Sequence, residues 1–135
     1  MPPMALSFAG ASFIGFNGNS SASSGKFIVN GATANHADAA QIVFGNSATA
    51  GHGTFTLHAG TVSGAGGGLM IFNQTAGAGS ATLIANGGSG MGSHVSFFGD
   101  STGGTARVEV FGDASMDIGS HNAPGLTVGS VIRFG

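Results

Sequence analysis

The amino-acid sequence predicts an all-β protein: a parallel β-solenoid, or β-helix, of about 4–5 coils with 26–28 residues per coil, forming a single repeat domain over residues 1–135 with incomplete coils at both ends. Three observations carry this expectation. Gly supplies 27 of the 135 residues, and Gly is a poor helix former at every interior position. Hydrophobic residues, 11 Phe among them, still make up 41% of the chain, so there is apolar surface to bury. The third observation is a repeat. FNGNSSASSGKFIVNG from Phe16, FGNSATAGHGTFTLHAG from Phe44, FNQTAGAGSATLIANGG from Phe72 and FGDSTGGTARVEVFGD from Phe98 align almost without gaps, their anchors 28, 28 and 26 residues apart.

The elements follow in chain order. Leu6 and Phe8 read as the last side of a coil that precedes the first full repeat. The strand running into each anchor places Ile14 and Phe16, Ile42 and Phe44, Met70 and Phe72, then Ser96 and Phe98 in equivalent positions. In that last member Val95 and Phe97 are the alternative inward pair, because a one-residue slip exchanges the two faces of a strand. A second strand lies 11, 11, 11 and 10 residues after the anchors, with Phe27 and Val29, Phe55 and Leu57, Leu83 and Ala85, then Val108 and Val110. Lys26 and Ile28, Thr54 and Thr56, Thr82 and Ile84, then Arg107 and Glu109 alternate with them, which is the period-two pattern of a strand with one buried face. Gly25, Gly53, Ala81 and Ala106 stand where a larger side chain would crowd the core. A weaker third column is read through Leu6, Ala34, Val62, Met91 and Met116. Leu126, Val128 and Val131 to Phe134 are expected to repeat the anchor strand, and the 36 residues from Phe98 to Phe134 imply an insertion around Asp113 to Pro124.

Composition narrows the function. Charged residues are 6% of the chain and the net charge is −2, too little positive charge to neutralise a nucleic-acid backbone. Cys is absent, which removes disulfides and thiolate metal sites. No run approaches the roughly 20 apolar residues of a membrane helix, so a membrane-spanning chain is not expected. The apolar opening from Met1 to Phe16 has no basic start and is broken by Gly10 and Gly15, so an export signal would lie outside this chain.

Candidate chemical groups are scattered. His36, His52, His58, His94 and His121 do not share a repeat column, and a transition-metal site needs three or four converging ligands. Among the acids, Asp38, Asp100, Glu109, Asp113 and Asp117, Glu109 pairs by spacing with Arg107. Asp113 and Asp117 together are the acidic pair that a polysaccharide-cleaving enzyme would need, set against the ordinary turn-forming role of Asp. The Gly-rich runs at 64–68 and 87–92 are followed by no Gly-Lys-Ser/Thr and read as corners. Thr54 and Thr56 supply one Thr-x-Thr rung, but their neighbours do not continue an ice-binding array. Ser47, Thr75 and Ser101 form a polar ladder able to bind sugar or to bond within a turn stack, and Ile28 and Ile84 are apolar positions on an outer face. No catalytic residue, metal or cofactor is expected.

The phrases FGNSATAGHGTFTLHAG, FNQTAGAGSATLIANGG and FGDSTGGTARVEVFGD resemble the F-x-x-S-T-A-G-x-A-x-I-x-N repeats of bacterial autotransporter-like and filamentous-haemagglutinin-like surface proteins, and GLTVGSVIRFG is similar to the segment that often follows such arrays. The resemblance covers roughly Phe16 to Gly135. It implies secretion, a right-handed parallel β-solenoid and a role in adhesion or cell-surface structure, and it brings no catalytic residues. The chain is short for such proteins, so a released or processed subunit is expected rather than an anchored one.

Neither end shows a charged, Pro-rich or helical cap over its strand edges, and open edges invite strand addition. The expected function is therefore a non-enzymatic, extracellular, self-associating subunit that stacks head to tail with copies of itself into a filament of a bacterial surface or biofilm matrix. Leu6 and Phe8 at one end and Val131, Ile132 and Phe134 at the other are its association edges. The alternative is an adhesin passenger fragment that binds carbohydrate or a host surface through one solenoid face.

Overall fold

The computed structural model describes residues 5–8 and 12–135, and of residues 5–8 the backbone alone. The described residues contain eleven strands and no helix: β1 (Ala5–Phe8), β2 (Phe13–Phe16), β3 (Lys26–Val29), β4 (Gln41–Phe44), β5 (Thr54–Leu57), β6 (Leu69–Phe72), β7 (Thr82–Ala85), β8 (His94–Phe97), β9 (Arg107–Phe111), β10 (Ser115–Asp117) and β11 (Ser130–Phe134). Odd strands form a parallel sheet in the order β1-β3-β5-β7-β9-β11, and even strands form a second in the order β10-β8-β6-β4-β2. A chain that visits two parallel sheets alternately, advancing one strand in each per turn, is a β-solenoid. This one has about five turns.

The core lies between the sheets and consists of stacked columns. Backbone pairing aligns Ile14, Ile42, Met70, Val95 and Met116, and beside them Phe16, Phe44, Phe72 and Phe97. Neighbouring strands are about 4.8 Å apart, so identical aromatic side chains in register must stack face to face. The ring centroids of Phe16 and Phe44, Phe44 and Phe72, and Phe72 and Phe97 are 4.8, 5.0 and 4.7 Å apart. From the opposite sheet Phe27 and Phe55 stack at 4.9 Å and meet the first ladder edge-on, at 5.9 Å for Phe16–Phe27 and 5.8 Å for Phe44–Phe55. The core is thus held by aromatic contacts both along and across the solenoid axis.

The passage from each even strand to the next odd strand is a regular corner. Single-residue parallel bridges link Ser21, Thr49, Gly77 and Thr102 into a short third ladder, and Ala48, Ala50, Ala76 and Ala78 are fully buried behind it. Two columns here take left-handed backbone: Gly18, Asn46, Gln74 and Gly99 have φ between 53° and 62°, and Ser23, Gly51, Gly79 and Gly104 between 52° and 62°. The second column holds three glycines because a Cβ on Gly79 would lie 2.7 Å from Gly51 O.

The other passage, from odd strand to even strand, varies in length: 30–40, 58–68, 86–93 and 112–114. It changes three sequence-based registers. Phe97, not Phe98, lies under Phe72, so the third anchor interval is 25 residues (72 to 97), and the alternative inward pair Val95 and Phe97 is the one adopted. Strand β11 pairs with β9, so Val131 continues the Val108 column and not the anchor strand. The segment around Asp113 to Pro124 is therefore no insertion, and its β10 is the fifth coil's anchor strand. The third column does not exist as a core feature: Leu6 is in register with Phe27 and Met116 with Val95, while Ala34, Val62 and Met91 are exposed.

One end also differs from expectation. Val29, Leu57, Ala85 and Val110 form an inward column whose next member is Arg133. Its guanidinium donates to Ala114 O at 3.1 Å and Gly112 O at 2.6 Å. A charged side chain thus holds two backbone carbonyls at that end.

Candidate functional site: the outer strand edges

The five residues expected to mediate self-association fall on the two outermost strands of one sheet, β1 and β11. Leu6 and Phe8 are in backbone register with Phe27 and Val29, and their side chains lie outside the described residues. At the other end Val131 stands on Val108 and is 52% exposed. Ile132 and Phe134 alternate with it onto the outer face, in register with Glu109 and Phe111. Phe134 is 41% exposed and its ring stacks on Phe111 at 4.5 Å. The second sheet also has two outer strands, β2 and β10, which the sequence reading did not include. Phe13 on β2 is 63% exposed.

Each edge is a row of backbone groups with a known use inside the molecule. The carbonyl just before each even strand accepts the first N–H of the even strand one coil later: Ser12 O from Gln41, Ala40 O from Leu69, Gly68 O from His94 and Ser93 O from Ser115, at 3.0–3.1 Å. The fifth carbonyl of this row is Ala114 O, and the Arg133 guanidinium occupies it. Sequence reasoning missed Arg133 because β11 was aligned with the wrong sheet. The alternation Val131, Arg133 opposite Val108, Val110 carries the signal once β9 is taken as the partner.

The other candidates are distributed along turns and faces. Among the described residues no three His, Asp or Glu side chains converge on a common point. His52 Nδ1 bonds Ser80 Oγ at 2.7 Å, His94 Nδ1 bonds Ser115 Oγ at 2.6 Å, and His121 lies between Asn122 O and Ser101 O at 2.8 and 2.7 Å; His36 and His58 are exposed. Asp113 accepts from the Gly88 N–H at 3.2 Å, Asp117 from the Gly119 N–H at 2.7 Å and Asp100 from Asn122 Nδ2 at 3.0 Å. These are turn-holding contacts. Glu109 pairs with Arg107 at 2.7 Å.

The polar ladder is shorter than expected. Ser47 and Thr75 are bonded at 3.0 Å, but Asp100 takes the next place and Ser101 is buried one position on. Beside it, Gly18 N–H donates to Asn46 Oδ1 at 3.2 Å and Asn46 N–H to Gln74 Oε1, so these side chains tie successive corners together. A groove of about 510 Å³ runs along the variable passages, lined by Asn30, Thr33, His58, Thr61, Ser89 and intervening glycines. Ile28 and Ile84 are half-buried on the outer face of the odd-strand sheet; Val43, Leu69 and Ile71 are their counterparts on the even-strand sheet. Among the described residues no helix is long and apolar enough to cross a membrane. Nothing matches the chain among protein-family models, curated proteins or solved structures.

Proposed function

We propose that this chain is a non-enzymatic structural subunit that associates end to end with copies of itself into a filament of a bacterial surface or matrix. The observation that carries the reading is that the six-stranded sheet ends on an outer strand at either side, β1 and β11. Four residues separate β1 from β2 and three separate β9 from β10, against eleven between β3 and β4 or between β5 and β6. The long passages lie in the middle of the molecule and a short one lies towards each end. Stacking β1 of a second copy on β11 would continue the six-stranded sheet in the parallel sense already used within the molecule, with the five-stranded sheet one strand short at the junction. With 3 Lys+Arg and 5 Asp+Glu, copies repel one another little.

The test is electron microscopy and fibre diffraction of the purified chain near neutral pH. Unbranched fibres with a repeat of about 4.8 Å along the axis are expected, and Val131→Lys, checked for an unchanged circular dichroism spectrum, leaves monomers. A chain that stays monomeric at every concentration sinks the proposal.

The groove along the variable passages favours a second reading, in which an extracellular adhesin fragment holds carbohydrate against Asn30, His58 and Ser89. A monomer that binds glycans and loses them on His58→Ala would support it; a glycan screen with no binding would remove it.

A further inference from the structure

We infer that Arg133 gates the edge at which a second copy of this chain adds, because the incoming strand must close over its inward-directed guanidinium. This rests on the end-to-end reading above. Within the molecule every step from one coil to the next uses the carbonyl before an even strand, and Ser12, Ala40, Gly68 and Ser93 each give theirs to the backbone N–H of the following even strand. Ala114 is the next residue of that row. With β1 of a second copy on β11, the six-stranded sheet runs one strand ahead of the five-stranded one, so that copy's β2 stands two strand spacings from β10 and leaves Ala114 O to the guanidinium.

Arg133 already holds that oxygen at 3.1 Å through Nη1, and Gly112 O at 2.6 Å through Nη2. The side chain starts from a place in the inward column where Val29, Leu57, Ala85 and Val110 are 0–4% exposed. An added coil would close over a guanidinium instead of an aliphatic side chain. It would have to displace two charge-assisted hydrogen bonds or bury the charge beneath it. Inward-pointing charges are a known means of blocking strand addition at an edge. Arg133 therefore sets a threshold concentration for association, since every junction joins this end to the β1 edge of another copy.

The experiment compares the 135-residue chain with Arg133→Leu and Arg133→Lys by light scattering and sedimentation over a concentration series, with thermal unfolding confirming that all three fold. Arg133→Leu is expected to lower the critical concentration about tenfold or more, the worth of one or two hydrogen bonds to a charged group. Arg133→Lys, which keeps the charge and loses the two-pronged geometry, falls between the two. If the parent chain forms fibres and Arg133→Leu forms them at the same concentration, the gate is wrong and the end-to-end reading stands. If Arg133→Leu alone forms fibres, the gate stands and the reading of the parent chain as a filament subunit falls. Failure of all three to associate overturns both.

Discussion

Gly25 and Gly53 stand two places before Phe27 and Phe55, whereas Ala81 and Ala106 stand two places before the smaller Leu83 and Val108. The pairing is steric. A Cβ on Gly25 would lie 2.7 Å from Phe27 Cε1, and one on Gly53 would lie 2.8 Å from Phe55 Cε1, and these rings are locked in a stack. Gly53→Ala is therefore expected to cost about 1–3 kcal/mol by overpacking. Combined with Phe55→Leu it should cost less than the two single changes added together, by about 1 kcal/mol. Urea unfolding of the four chains measures the coupling, and strict additivity would refute it. Ser101 makes the opposite case. It is 2% exposed, its hydroxyl has no hydrogen-bond partner among the described residues, and the same place one and two coils earlier holds Ala76 and Ala48. Ser101→Ala removes a buried unpaired group and should stabilise the chain by about 1 kcal/mol or more, read as a rise in the unfolding midpoint.

At the level of strands, register follows backbone pairing, and its clearest test is the Phe97-Phe98 pair. Phe97 is fully buried between Phe72 and the end of its ladder, while Phe98 lies half-buried in the corner. Phe97→Ser should cost about 3 kcal/mol or more and Phe98→Ser about 1 kcal/mol or less; equal losses would mean that the slipped register is populated. The same pair shows what was legible in the sequence. Stacking requires each coil to repeat the residue type below it, so the columns from Phe16 to Phe72 and from Phe27 to Leu83 could be read directly from the 28-residue interval. Legibility ended where the passage after an odd strand shortened from eleven residues to eight and then three. Loop length is free to vary without disturbing the pairing, so interval counting drifted by one residue at Phe98 and by a whole side at Phe134. Arg133 was lost with that drift. The groove beside His58 carried no pattern because much of its lining is Gly backbone.

For the whole molecule the sparse charge bears on the proposed end-to-end association. Lys26, Arg107 and Glu109 lie on the outer face of the odd-strand sheet, Arg107 and Glu109 neutralise one another, and the outer positions of the even-strand sheet carry no Lys, Arg, Asp or Glu before Asp117 on β10. Association of such bodies is governed by backbone pairing and apolar contact, with almost no steering or repulsion between net charges of −2. Raising sodium chloride from about 0.1 to 1 M shortens the screening length from about 10 Å to about 3 Å, yet it should change the rate of fibre growth by no more than about twofold. Sulfate at matched ionic strength strengthens apolar burial through its exclusion from the protein surface, and it should accelerate growth well beyond the chloride control. Light scattering in the two salt series separates the terms. A steep loss of association in chloride would show that a few charges at the ends, Arg133 foremost, draw copies together instead of holding them apart, and would reverse the role assigned to that side chain.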